Sequence, residues 1–290
     1  MDFCNDRFVA VVGDGQWSRV YTSVDGLEWT SSSIQVEPFV SAVTYGEGLY
    51  VAVLDTYGSG ARVLTSPDLQ TWTVRRSYQE VPGASSQSSA NLTLDEVVFR
   101  SGKFIAVGVW GAILTSTDGL EWLYNPPRAS ENNLNGVTFG DGGFVAIGGL
   151  GTALVSPDGT SWRGTNVGYA VTLIGVAFGN GTYVAAGEHE LIASPNGLDW
   201  SHPPPLPVPV LNAITYGNGL FVAFGGEYEA QYALTSTDGL SWSARILLPS
   251  ADPIRYAYFD GTRFVALASL HPLVSTDGAN WSTITPDQLN

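Results

Sequence analysis

The chain has 290 residues, 44% of them hydrophobic, with 12 Lys+Arg against 27 Asp+Glu and a net charge of −15. So large an acidic excess argues against a nucleic-acid backbone or an anionic membrane surface as partner, because both need clustered Lys and Arg. A single cysteine, Cys4, excludes an intrachain disulfide and a Cys-based zinc cluster, and no run of eighteen apolar residues offers a membrane span.

The opening MDFCNDRFVAVV reads as a strand and lacks the basic segment and cleavage site of a signal peptide. The chain then writes one short turn seven times: TSVDGLEW, TSPDLQTW, TSTDGLEW, VSPDGTSW, ASPNGLDW, TSTDGLSW and VSTDGANW. These end at Trp29, Trp72, Trp122, Trp162, Trp200, Trp242 and Trp281, at intervals of 38 to 50 residues. Before each turn stand a hydrophobic-x-Phe/Tyr-Gly-x-Gly-x-Phe-Val-Ala stretch and a variable loop. In the fourth repeat the expected strands are A at 137–139, B at 144–148, C at 152–156 and D from Trp162. No segment keeps a 3.6-residue apolar period, so helix should be minimal.

Four short strands every forty or so residues are the pattern of a propeller blade. The expected fold is all-β: a seven-bladed β-propeller of four antiparallel strands per blade, spanning 1–290 as one domain. The termini should meet, because Leu289-Asn290 repeats the Leu134-Asn135 and Leu211-Asn212 that precede strand A, and Met1-Asp2-Phe3 supplies the strand itself. The recurring turn is then the C-to-D hairpin. Its Asp carboxylate accepts backbone N–H groups, its Gly takes a positive φ, and its Trp opens strand D. Blade 2 lacks the Gly (Asp68-Leu69-Gln70), and blade 5 has Asn196 for Asp.

Ser116-Thr117-Asp118-Gly119-Leu120-Glu121-Trp122 resembles the Asp-box, or BNR-type, repeat, one residue shorter. The wider pattern of residues 148–162 looks like repeats of the photosystem II assembly factor family and of bacterial surface propellers. The resemblance covers the whole chain. It implies the fold and leaves function broad, since such folds host sialidases, xyloglucan hydrolases, lectins and assembly factors. Sialidases have six blades, an arginine triad and a Phe-Arg-Ile-Pro signature that this chain lacks.

The A–B and C–D turns are short and alike, whereas the B–C and D–A connections vary and share the opposite face, which makes that face the expected site. In chain order its candidates are Trp17, Arg19, Tyr57, Arg76, Tyr78, Glu96, Trp110, Tyr124, Glu188, His189, Glu190, His202, Glu227, Tyr228, Arg255 and His271. Rings beside carboxylates and amides suit sugar recognition. Within strand A, one column reads Ala42, Glu96, Gly136, Gly175, Ala213 and Arg255, so Glu96 and Arg255 break a run of small residues at the channel mouth. Residues 73–94 read as the longest connection, a lid or a segment disordered in its Ser/Gln-rich middle, and HPPPLPVPV at 202–210 as an extended strap.

The function read from these residues is a binding module for a glycan or a protein partner on the variable face. A glycan-active hydrolase or lyase with one asymmetric site at the channel mouth is the second reading, and a protein-assembly scaffold the third. The reading leans away from catalysis. No catalytic residue, metal ligand or cofactor is assigned. His189 or His202 with Glu188 and Glu190 is the nearest approach to a metal set, without a His pair at ligand spacing. The chain is expected to be a monomer. Its compartment stays open, with an extracellular or cell-surface setting favoured, either by itself or as a domain of a longer chain.

Overall fold

The computed structural model describes residues 2–13, 18–26, 28–34, 40–54, 62–77, 93–125, 131–168, 170–203, 210–227, 230–268 and 272–283. They form seven small antiparallel sheets arranged as a ring, a seven-bladed β-propeller. Within each sheet the strands pair in sequence order, A to D from the channel outwards. The innermost strands of blades 1 to 7 are Asp2–Cys4, Val40–Gly46, Leu94–Arg100, Leu134–Gly140, Leu173–Gly179, Leu211–Gly217 and Tyr256–Phe259. From blade 2 to blade 7 each packs on the next, and Asp2–Cys4 lies against those of blades 2 and 7, closing the ring.

Four details differ from the sequence reading. Strand A of blade 4 begins at Leu134, three residues early, because Leu134-Asn135-Gly136 carries a bulge instead of an even alternation. Thr73–Ser77 pairs with Arg62–Ser66 as strand D of blade 2, so the connection to blade 3 starts later than read; 78–92, like 204–209 of the proline run, lies outside the described residues. Among the described residues blade 5 has three strands, with Ser201 bridging Ala193 where the fourth would lie. Pro203 lacks the N–H that would extend that ladder. Finally, the column of Glu96 is occupied in blade 7 by Tyr256, not Arg255. Phe259 pairs with Phe264 as Phe139 does with Phe144, which places Tyr256 opposite Leu267 as Gly136 lies opposite Ile147.

The repeated turn explains its own recurrence. In blade 3, Ser116 Oγ accepts the Gly119 N–H (2.8 Å) and donates to Asp118 Oδ1 (3.0 Å). That oxygen accepts the N–H groups of Leu120 (2.8 Å) and Glu121 (2.9 Å), and the Trp122 indole N–H donates to Gly119 O (3.0 Å). The hairpin thus meets its polar needs from within, and the ring is free to bury its carbon face. Trp122 is fully buried, packed with Phe104 and Leu114 against Val51, Val53 and Val63 of blade 2. In blade 2 Leu69 takes the left-handed conformation that glycine takes elsewhere (φ 64°) and is buried against Val9 and Val11 of blade 1. That burial offsets a conformational cost of about 1–2 kcal/mol.

Blades are also pinned by a phenol. Tyr183 stands where blades 3, 4, 6 and 7 place Phe104, Phe144, Phe221 and Phe264. Its hydroxyl donates to Gly143 O (2.9 Å) and accepts the Gly142 N–H (3.0 Å) in blade 4. Burial pushes its pKa up. Tyr183→Phe keeps the ring and removes both bonds, so urea unfolding should show a loss of about 1–2 kcal/mol.

Candidate functional site

In blades 2 to 6 the ladder between strands A and B skips one residue at the same height. Leu94 pairs with Gly108 and Glu96 with Val107; Leu134 pairs with Gly148 and Gly136 with Ile147. Blades 2, 5 and 6 repeat this around Ser41, Ile174 and Asn212. A bulge turns the extra residue out of the ladder and re-aims its side chain. The re-aimed set is Ser41, Asp95, Asn135, Ile174 and Asn212.

In blades 3 to 6 strand B accommodates the bulge with a glycine. Gly108, Gly148, Gly187 and Gly225 each sit under a carbonyl, that of Thr93, Asn133, Thr172 or Val210, at the place where a Cβ would project. The carbonyl then accepts the N–H of the next residue along, Val109 (3.1 Å), Gly149 (2.9 Å), Glu188 (3.0 Å) or Gly226 (3.3 Å). In these four blades a glycine in the second strand makes room for the carbonyl beside the bulge, whereas blade 2 forms its bulge with Leu54 at that place.

All five bulged residues, with Glu96 from blade 3 and Arg255 and Tyr256 from blade 7, line a cavity of about 630 Å³ at this end of the channel. Gly136, Gly175 and Ala213 keep its wall thin. Asn135 Nδ2 donates to Leu173 O of the next blade (2.7 Å), fixing one amide of the ring. The mouth is electrically uneven. Asp95 and Glu96 stand side by side on blade 3, Arg255 stands across the ring on blade 7, and blades 2, 4, 5 and 6 contribute no charge. Tyr256 lies between these fields. Burial first, and then the negative charge of Glu96, push its phenol up, while the charge of Arg255 opposes them. Its hydroxyl donates to Ser41 O (3.4 Å), bridging blades 7 and 2.

Beyond the mouth, the B–C connections of blades 3 and 4 have one shape. Trp110 (φ 57°, ψ 31°) and Leu150 (φ 53°, ψ 35°) each sit in the left-handed region, 56% and 58% exposed. A bulky residue held in that region is strained. Here the strain holds two large apolar side chains out of the sheet. Asn133 Oδ1 accepts the Trp110 N–H (3.1 Å), so the first residues of blade 4 brace the tip of blade 3. In blade 5 the two-residue turn Glu188-His189 takes the same place, with His189 at φ 59° and exposed.

The other sequence candidates scatter. Glu190 and His202 come together, Nδ1 to Oε2 at 3.9 Å, and His202 Nε2 bonds Val167 O (2.8 Å), which joins blades 4 and 5 on the outer rim. Arg19 is exposed near the start of strand C of blade 1, and Tyr124 is half-buried against the blade 2–3 core. Arg76 and Glu227 are placed by their backbones, in strand D of blade 2 and at the end of strand B of blade 6. Trp17, Tyr57, Tyr78, Tyr228 and His271 lie outside the described residues. Among the described residues no three His, Cys, Asp or Glu side chains converge as a metal site would need, and no helix is long and apolar enough to cross a membrane.

Sequence reasoning missed the whole bulged set, Asp95 included, together with Tyr256 and Leu150. Leu150 had a signal, since GGLGT aligns under GVWGA and puts it where Trp110 stands. Asp95 had none, because only the bulge turns two consecutive acids toward one cavity.

No protein-family model matches the sequence, and no curated protein sequence does. Solved structures match the fold. YCF48 bound to D1 peptide superposes with a TM-score of 0.63 at 14% identity, over 91% of this chain and 93% of that one. The WD40 β-propeller domain of Doa1 gives 0.66 at 13%, over 100% and 93%. Virginiamycin B lyase from Staphylococcus aureus gives 0.68 at 10%, over 84% and 83%. At these identities the likeness is one of fold.

Proposed function

We propose that the chain is a binding module that takes an extended segment of a partner protein at the channel mouth, with Trp110 and Leu150 as an apolar rest beside it. The observation that carries this reading is the row of five bulges, which turns side chains from five consecutive blades toward one cavity. A volume of about 630 Å³ falls within the usual range of ligand pockets. YCF48, a propeller of the same architecture, is known with a D1 peptide bound, which supports a peptide as occupant and a scaffold role as its consequence. The turn chemistry further supports kinship with Asp-box repeats, since in all seven turns the Ser hydroxyl bonds the Asp or Asn oxygen and that oxygen accepts a backbone N–H.

A glycan on the Trp110 face is the second reading, favoured by that ring's exposure beside a polar rim. A displayed random-peptide library separates the two. Wild-type protein should enrich a consensus peptide that Trp110→Ala binds at least roughly tenfold more weakly, the loss expected of an aromatic hot spot. Enrichment of nothing, with binding on a glycan array that Trp110→Ala abolishes, would replace the peptide by a sugar.

A further inference from the structure

Among the six described blades that line the mouth, charge is confined to two. In the bulged column blades 2, 4, 5 and 6 present Ser41, Asn135, Ile174 and Asn212, and the column beside it adds only Gly136, Gly175 and Ala213 from blades 4 to 6 to the cavity wall. Blade 3 breaks both columns with Asp95 and Glu96. Blade 7 breaks them with Arg255 and Tyr256. Three blades separate these on one side of the ring and two on the other, so the acids and the cation face each other across the channel instead of meeting as neighbours. Arg255 is exposed at this mouth.

A ligand of one sign fits this wall badly. A purely anionic segment would meet two adjacent carboxylates in a chain of net charge −15. A purely cationic one would set a like charge against Arg255. A segment with both signs satisfies both walls, and the uncharged blades between leave room for its backbone, with the Asn212 amide as an available hydrogen-bonding group. We infer that the mouth selects a bipolar peptide segment, with a Lys or Arg side chain set against Asp95 and Glu96 and a carboxylate set against Arg255. This inference rests on the peptide reading of the site and adds the identity of its two anchoring groups. Opposed charges of this kind govern which partner is accepted and how fast it arrives more than total affinity.

The test uses the full chain and four fluorescein-labelled, end-capped peptides joined by glycine spacers of increasing length. They carry Lys and Glu, Lys and Gln, Gln and Glu, or two Gln, and binding is read by anisotropy at low and high salt. The Lys/Glu peptide should bind roughly tenfold or more tighter than either singly charged one at its best spacing, and the advantage should shrink in high salt. Arg255→Gln should abolish the benefit of Glu and leave that of Lys. Asp95→Asn with Glu96→Gln should do the reverse. The acids are replaced by neutral groups of similar size and the exposed Arg255 by a shorter neutral one, and an unchanged melting curve shows that both variants are folded. A peptide ending in a free carboxylate in place of Glu distinguishes a chain terminus from a side chain as the anion. Equal binding of singly and doubly charged peptides, no binding by any of them, or indifference to Arg255→Gln overturns the inference. If library-selected peptides still bind in a Trp110-dependent way, that failure leaves the peptide reading standing; if the library also selects nothing, the peptide reading fails as well.

Discussion

Replacing Gly148 with alanine lowers the unfolding free energy by about 3 kcal/mol, while the same change at Gly149 leaves it within about 0.5 kcal/mol. The two glycines are adjacent and their surroundings are opposite. A Cβ on Gly148 would overlap the Asn133 carbonyl and crowd Leu134 Cα, both backbone groups that no side-chain rotation can move aside. A Cβ on Gly149 meets only that same oxygen, at 3.9 Å, an ordinary contact. Blade 3 already carries a side chain there, since Val109 stands in the place of Gly149. Urea unfolding of both variants at neutral pH reads the difference. Equal losses would mean that the close approach of the carbonyl is not what demands glycine. The effect also reaches the candidate site, because the Asn133 carbonyl over Gly148 is part of the bulge that turns Asn135 toward the mouth. Gly148→Ala should therefore weaken a mouth ligand as well as the fold, and Gly149→Ala should spare both.

The same bulges mark how far the sequence could be read. Blade number, strand order and the C–D hairpin were legible because each rests on local chemistry. A Ser-x-Asp-Gly-x-x-Trp turn satisfies itself, and seven of them at blade spacing leave few alternatives to a ring. Strand C of blade 4 was legible to the residue, Thr152–Ser156, because it alternates without interruption. The inner strands were less so. A bulge adds one residue to one strand, so the column of inward-facing positions cannot be found by counting from a neighbouring hydrophobic residue. Blade 7 shows the consequence. It lacks the Leu-Asn signature, and its Tyr256 passes for a core residue. Counting along the chain then pairs Arg255 with Glu96 in register, whereas Asp95 and Asn212 are its counterparts. Which loop residues share a surface was not legible either. Glu190 and His202 are brought together by the single bridge between Ala193 and Ser201, a pairing that no local pattern announces.

Asparagine at positions 118, 158, 238 and 277 together should flatten the acid limb of the stability curve. The cost is about 2–4 kcal/mol at neutral pH and shrinks steadily as pH falls below about 4. In each turn the aspartate Oδ1 accepts two backbone N–H groups, as in Asp238 from Ser241 (2.7 Å) and Leu240 (2.8 Å). These bonds favour the charged form. The Ser241 N–H, then that of Leu240, hold Asp238 down from the ordinary 3.8 to about 2. Asp118 is lowered by Glu121 and Leu120, Asp158 by Ser161 and Thr160, and Asp277 by the backbone and then the side chain of Asn280. A carboxyl whose folded pKa lies below its unfolded one stabilises the fold fully above the unfolded value and loses that contribution as pH falls through the folded value. The window is therefore about pH 4 down to pH 2 and below. The turns lie at the surface, so solvent screening reduces each contribution to about 0.5–1 kcal/mol. Blade 5 shows that the substitution preserves the turn. Asn196 Oδ1 accepts the N–H groups of Leu198 and Asp199, both at 2.9 Å, without a charge. Wild type and the fourfold variant, unfolded by urea from pH 7 to pH 2, should draw together toward the acid end, because each Asp that protonates becomes a neutral acceptor like Asn. Curves that stay parallel across the range would place the acid sensitivity in other carboxylates.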